Sequence, residues 1–314
     1  MPIAIYGIAI DARNDHPFSR SFCAKELMKG MVIHMKKLNF SELDNFLRTA
    51  LDEDIGSGDV TTNYCVPETA ISNGNFIAKE YGVISGLEVL CRVFQLVDDA
   101  VEIKLMVNDG DTVQSGDIIA KISGSSRAIL TGERTALNIL QHMSGIATKT
   151  AKAVNEIRGT TTQILDTRKT TPGMRALDKY AVTCGGGTNH RFNLADGILI
   201  KDNHIRAAGS ITNAVQCMKK VKNENKLAIE VETESLPQVE EALAAGADII
   251  MLDNMSLDMM SQAVKLIAGR AKTEASGNMG DHSLIDVANT GVDFISIGAL
   301  THSVKAMDIS LKFT

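Results

Sequence analysis

The second half of the chain repeats one theme, and that theme limits the fold more than any other feature. A short apolar run ends in polar residues, a helical stretch follows, and another apolar run begins. The runs are QILDTRK, GILIKDN, LAIEVET, DIIMLDN, AKTEASG and DFISIGA, in that order between Gln163 and Ala299. EEALAAGAD leads into IIMLDN, and DVANTGVD leads into FISIGA, so Gly246 and Gly291 fit helix C-terminal caps that feed the next strand. Strands alternating with helices at this spacing call for a parallel sheet, either a barrel or doubly wound. No GxGxxG follows an early strand, which leaves a dinucleotide-binding fold without support. The pattern predicts a βα barrel with about six recognisable strands, short of the full eight.

The first half reads differently. Leu43, Phe46, Leu47, Ala50 and Leu51 have helical spacing, and Ser41 with Asp44 three residues on predicts the start of that helix. DEDIGSGDVTT at 52–62 reads as an acidic, turn-rich loop. From Ile71 to Ser123 short β-type runs are punctuated by Gly and Asp, with one helix expected near Leu87 to Val97. The turns from Asn108 to Gly116 look like those of a carrier domain, but no lysine stands where a hairpin-tip attachment site needs one. A long helical stretch follows from Thr131 to Arg158, with Gly145 as its expected break.

The net charge is −6, from 38 acidic and 32 basic residues, so the basic excess of a nucleic-acid binder is missing. Any anionic ligand must be held by a local basic cluster. The five cysteines (Cys23, Cys65, Cys91, Cys184 and Cys217) form no CxxC pair and no zinc-ligand pattern with histidine, which suits a reducing, cytoplasmic setting. No apolar run reaches membrane-spanning length. MPIAIYGIAI at the start has no preceding basic residue and is followed at once by Asp11 and Arg13, which argues against a signal peptide. Residues 1–35 match no pattern and read as an N-terminal extension; Met31 and Met35 are alternative starts.

In a βα barrel the chemistry sits at the C-terminal ends of the strands. Those ends carry Arg168, Lys169, Lys201, Glu232, Asp253, Ser276 and Gly298. DTRKTTPGMR adds Arg175, GGGTNHRFN adds His190 and Arg191, and LIKDNH adds His204. So many cations at one barrel mouth in an acidic chain imply an anionic substrate, with arginine forks suited to carboxylate or phosphate. Gly185 to Gly187 either let backbone N–H groups approach an anion or form a plain turn. Glu230 and Glu232 share one strand face, and Glu232 pairs naturally with Asp253 on the next strand end. Such a carboxylate pair binds Mg²⁺, holds sugar hydroxyls, or forms a structural ion pair with Lys201. Glu230 lies one strand period deeper and reads as structural. Glycine-bearing loops after the last strands, EASG and SIGALTH, suit a phosphate, with His302 beside them.

Together these motifs resemble the quinolinate phosphoribosyltransferases, the decarboxylating enzymes of NAD biosynthesis. The resemblance runs from about Leu38 to Phe313 and is carried by EDIGSGDVTT, GERTALNILQHMSGIAT, DTRKTTPGMR, GGGTNHRFNLADGILIKDNHI, IEVET, LDN, EASG and ISIGALTHS. It implies an N-terminal α/β sandwich domain over 36–145, completed by 300–314, and an incomplete, roughly six- to seven-stranded α/β barrel over 146–299. It also implies a homodimer or higher oligomer with shared active sites, quinolinate and phosphoribosyl pyrophosphate as substrates, and Mg²⁺ as cofactor. Position by position, Arg168, His190, Arg191 and Lys201 match the groups that bind the two quinolinate carboxylates. Arg134 matches an arginine sent into the neighbour's site. Lys169 matches a lysine at phosphoribosyl pyrophosphate. Glu232 and Asp253 match the pair at the ribose hydroxyls and the metal-bound pyrophosphate, and with Lys201 they form the expected catalytic set. Ser276, Gly277, Gly298 and His302 match the 5′-phosphate site. Asn278 departs from the family's second glycine. The rival readings are a transferase for another aromatic acid such as nicotinate, an aldolase with Lys201 as its Schiff-base lysine, and a non-catalytic anion binder.

Overall fold

The computed structural model describes residues 37–279 and 283–314. The extension at 1–35 lies outside the described residues. The chain enters through α1 (Phe40–Ile55), whose buried Leu43, Leu47 and Leu51 bear out the apolar spacing. Its cap differs from the expected one. Asn39 is the N-cap: its side chain accepts from the Ser41 N–H and donates to Glu42 Oε1, so the cap sits two residues earlier than the Ser41–Asp44 reading. Nor is 52–62 all loop. The Asp59 side chain accepts from the Thr62 N–H and starts α2 (Val60–Cys65).

A four-stranded antiparallel sheet follows, from β1 (Ile71–Ala78), β3 (Glu102–Leu105), β5 (Ile118–Ser125) and the C-terminal β12 (Ile309–Phe313), in the order β12-β1-β5-β3. A small pair, β2 (Gly82–Val83) and β4 (Thr112–Val113), stands beside it. α3 (Leu87–Val97) packs Phe94 edge-on against Phe76 of β1, with ring centroids 6.1 Å apart.

The long α4 runs unbroken from Ser126 to Glu156, against the expected break at Gly145. A Cβ at 145 would lie 2.2 Å from the Lys305 carbonyl oxygen, so this glycine serves a close backbone crossing. Because α4 is continuous, it contributes Leu140 and Met143 to the first apolar core and Ala153 to the second.

The second core belongs to a parallel six-stranded sheet in the order β6-β11-β10-β9-β8-β7. Its strands are β6 (Gln163–Leu165), β7 (Ile198–Ile200), β8 (Ile229–Thr233), β9 (Ile249–Asp253), β10 (Lys272–Ser276) and β11 (Phe294–Ser296). All six apolar runs of the sequence are there. The sheet is open between β6 and β7. Thr188 makes a parallel bridge to Leu165 and Asn189 is bridged as well, the beginning of a seventh strand too short to close the ring. Arg191 spans the remaining seam, donating from Nη1 to the Gly197 carbonyl at 3.0 Å. This is the incomplete α/β barrel that the sequence pattern predicts.

Candidate active site

A cavity of about 1010 Å³ opens at the C-terminal ends of the parallel strands. Of the residues singled out from sequence, Arg168, Lys169, His190, Arg191, Lys201, Glu232, Asp253, Ser276, Gly277, Gly298 and His302 all line it. Arg134, on an exposed face of α4, does not. Two further members of the basic stretch also face elsewhere. Arg175 turns its guanidinium onto Thr170 Oγ1 and the Phe192 and Arg168 carbonyls. His204 accepts from the Lys201 N–H through Nδ1, which closes the first turn of α6 (Asp202–Ala208).

Burial sorts the cations. Arg191 is 6% exposed and His190 5%, whereas Lys169 and Lys201 are exposed. Arg168 places its Nε where neither solvent nor a hydrogen-bond partner among the described residues reaches it. Arg168 as a whole is half-buried and lines the cavity, and a guanidinium in a cavity wall is suited to an anion. Lys201 Nζ lies 3.0 Å from Glu232 Oε2, so the ion-pair reading of Glu232 is realised, and the pair stays at the cavity surface. Asp253 Oδ2 accepts from Asn254 Nδ2 at 2.7 Å.

His190 sits over two buried carboxyls. Its Nδ1 accepts from the Arg191 N–H at 2.8 Å, which leaves the ring proton on Nε2. Nε2 lies 3.2 Å from Glu230 Oε2 and 3.6 Å from Glu274 Oε2. The shorter contact lies off the hydrogen-bonding direction. Burial pushes both carboxyls up to about 8, opposed at Glu230 by the Arg191 charge and reinforced at Glu274 by Glu230. Burial also lowers His190.

At the other end of the cavity Lys169 crosses Gly298. A Cβ there would meet Lys169 Cδ at 2.9 Å and His302 Cδ2 at 3.2 Å. Thr301 Oγ1 donates to the Lys169 carbonyl at 2.8 Å, tying this loop to α11 (Ala299–His302). Gly277 takes the left-handed conformation at φ +89°, and Asn278 does not share it, so an asparagine there carries no backbone strain. Gly185 and Gly187, candidates for an anion nest, instead pack against α4. Added Cβ atoms would lie 2.4 Å from the Ala147 carbonyl oxygen and 2.7 Å from Thr150 Cγ2.

Several lining residues were missed in the sequence. Lys149, Lys152 and Glu156 reach the cavity from α4, at a helical spacing that puts them on one face. Lys149 Nζ donates to the Ala299 carbonyl at 2.6 Å and the Ser303 carbonyl at 3.0 Å, bracketing α11. The stripe was visible in the sequence, but nothing there said which way it faced. Glu274, Thr167 and Ser296 also line the cavity. Burial pushes the Cys184 thiol up to about 11, which agrees with a packing role.

A barrel mouth with a buried and a half-buried arginine at one end and glycine loops under a lysine and a histidine at the other defines an anion-handling α/β-barrel protein. Comparison with known proteins narrows this. Residues 59–144 match the family described as quinolinate phosphoribosyl transferase, N-terminal domain, and residues 146–312 match its C-terminal domain. A probable nicotinate-nucleotide pyrophosphorylase [carboxylating] of Bacillus subtilis is 45% identical over 277 residues, covering 88% of this chain and 95% of the relative. A quinolinate phosphoribosyltransferase [decarboxylating] of Nicotiana tabacum is 43% identical over 289 residues, covering 86% and 82%. The solved nicotinate-nucleotide pyrophosphorylase of Francisella tularensis superposes with a TM-score of 0.86 at 40% identity, covering 90% of this chain and 99% of that one. The chain belongs to the quinolinate phosphoribosyltransferase family.

Proposed function

We infer that this chain is a decarboxylating quinolinate phosphoribosyltransferase, a pentosyltransferase of NAD biosynthesis. It joins quinolinate to phosphoribosyl pyrophosphate and releases nicotinate mononucleotide, pyrophosphate and CO₂. The observation that carries the placement of quinolinate is the one cavity wall that Arg168, Arg191 and Lys201 line together. Arg168, Arg191 and Lys201 take the two adjacent carboxylates, over a floor formed by His190. Lys169, Ser276, Gly277, Gly298 and His302 hold the 5′-phosphate of the donor, and Glu232 and Asp253 orient its ribose hydroxyls. Loss of CO₂ leaves an electron pair on the ring, and fixed cations around the ring stabilise that charge. Removing one such contact costs about 3 kcal/mol in the transition state, roughly a hundredfold in rate.

The hard carboxylate oxygens of Glu232 and Asp253 suit Mg²⁺, and each side chain has an acceptor oxygen beyond its contact with Lys201 or Asn254. A magnesium ion held there with the donor's pyrophosphate would neutralise the leaving group. Arg134, exposed and away from its own cavity, completes the site of a second subunit in a homodimer. Among the described residues no helix is long and apolar enough to cross a membrane, and Cys65, Cys91, Cys184 and Cys217 are free thiols. Both fit a cytoplasmic enzyme.

The assay is CO₂ release from quinolinate with phosphoribosyl pyrophosphate and Mg²⁺. Equal or faster turnover of nicotinate would overturn the substrate assignment. Borohydride trapping of substrate on Lys201 would favour an aldolase instead. For the dimer, inactive Arg134→Ala and Lys201→Ala subunits should recover activity when mixed. No recovery in verified mixed dimers would refute shared sites.

A further inference from the structure

The two segments that carry Arg168 and Arg191 hang outside regular strand pairing. Arg168 lies beyond the end of β6, and Arg191 lies past the bridged residues Thr188 and Asn189. Their spacing nevertheless has to be fixed if they are to recognise one rigid ligand. The element that fixes it is α5 (Arg175–Cys184). Its Leu177 and Ala181 are anchored in the first apolar core. Arg175, Asp178 and Lys179, spaced i, i+3, i+4, bind the two segments through hydrogen bonds.

Most of these contacts are to the backbone, and the rest are to buried or half-buried side chains. Arg175 donates from Nη2 to the Arg168 carbonyl at 3.4 Å and from Nη1 to the Phe192 carbonyl at 3.2 Å, so one planar guanidinium spans both segments. Its Nε donates to Thr170 Oγ1 at 3.0 Å. Asp178, fully buried, accepts the Thr171 N–H at 3.1 Å through Oδ2 and holds His142 Nε2 at 2.7 Å through Oδ1. Lys179, also fully buried, donates to the His190 carbonyl at 2.9 Å and to Asp166. Asp166 in turn accepts the His190 N–H at 2.8 Å and the Asn189 amide at 2.6 Å. The His190 peptide is thus gripped at both its N–H and its C=O by one buried ion pair.

We propose that Arg175, Asp178 and Lys179 are positioning residues that set the distance between Arg168 and Arg191, and so make the site selective for two adjacent carboxylates over one. The proposal rests on the reading that these arginines bind quinolinate. A ligand with a single carboxylate needs only one of them well placed. A ligand with two needs the pair in register, so loosening α5's grip costs the second kind more.

The test is Arg175→Met, with phthalate and benzoate as carbocyclic inhibitors bearing two adjacent carboxylates and one. We expect the inhibition constant of phthalate and the KM for quinolinate to rise about tenfold, and that of benzoate less than about threefold. The KM for phosphoribosyl pyrophosphate should change less than that for quinolinate. Thr170→Val, which deletes one Arg175 acceptor without touching α5, should shift the phthalate-to-benzoate ratio the same way but less. Variants that lose affinity for both inhibitors in proportion, or that leave the ratio unchanged in a protein with parental unfolding behaviour, would overturn the proposal. Arg168→Ala separates the two ideas. If it too leaves quinolinate binding intact, the carboxylate site itself is misplaced. If it weakens binding and Arg175→Met does not, only the positioning role falls.

Discussion

Gly145→Ala should destabilise the protein, although in most helices the same change stabilises. Gly145 is buried in the middle of a 31-residue helix, where alanine ordinarily gains about 1 kcal/mol over glycine. Here the new Cβ would lie 2.2 Å from the Lys305 carbonyl oxygen and 3.2 Å from Ala306 Cα. Carbon–oxygen contacts settle near ~3.3 Å, so the crossing segment must retreat by about 1 Å. That segment is tightly tied. Met307 N–H donates to the Gln141 carbonyl, Gln141 Nε2 donates to the Ile309 carbonyl at 2.6 Å, and β12 pairs with β1 beyond it. Overpacking costs about 1–3 kcal/mol, and each strained hydrogen bond about 1 kcal/mol more. With both bonds strained and the helix gain subtracted, a net loss of about 2–4 kcal/mol remains. Urea unfolding followed by circular dichroism measures it. The displaced segment also follows His302 in the chain, so the KM for phosphoribosyl pyrophosphate should rise more than that for quinolinate. A variant as stable as the parent, or more so, would refute the close-crossing explanation of Gly145.

Three further outcomes follow from the site. The Glu274 carboxyl, raised to about 8 by burial and by Glu230, binds its proton more tightly in the folded than in the unfolded chain. Its contribution is therefore full at acid pH and fades as the pH climbs from about 5 through about 8. Glu274→Gln should make that decline shallower by up to ~1.4 kcal/mol per pH unit, read from denaturant midpoints across the range; an unchanged slope contradicts it. Lys149→Met frees the Ala299 and Ser303 carbonyls, so the KM for phosphoribosyl pyrophosphate should rise several-fold, with partial rescue by Lys149→Arg; equal effects on both substrates would count against a role at the phosphate end. Cys184, with its thiol pushed up to about 11, should react with iodoacetamide far more slowly at neutral pH than exposed Cys65, as peptide mass mapping would reveal; comparable rates would mean that burial does not protect it.

Regular alternation was legible because it is a local property. The six apolar runs, the helix at 87–97 and the cationic strand ends all follow from spacing within a few residues. Direction was not legible. Arg168, Arg175 and Arg191 look alike as sequence, yet Arg175 turns to backbone carbonyls while the other two line the cavity. Glycine was equally ambiguous. Gly145, Gly185 and Gly187 read as a break and a loop, and in the fold each marks a close approach between chain segments distant in sequence. Lys149 and Lys152 form a plain polar stripe on α4 until the barrel places its mouth beside them.

The open seam explains why the site lies where it does. A closed ring of strands would satisfy the backbone of 188–197 by pairing, and its side chains would alternate between core and surface. Here bridging reaches no further than Asn189, and the backbone groups of the next residues must be satisfied by other means. Asp166 and Lys179 satisfy both ends of the His190 peptide, and Arg175 caps the Phe192 carbonyl. Burial works against both charges of that pair, raising Asp166 and lowering Lys179, while their contact, Asn189 and the His190 N–H pull the other way. A buried ion pair is a poor way to gain stability compared with apolar packing. It is a good way to hold a segment that carries two large side chains into a cavity without a strand to direct them. The missing strand and the buried polar bracket are thus one feature: the gap gives His190 and Arg191 access to the barrel mouth, and the bracket gives them a fixed direction once there.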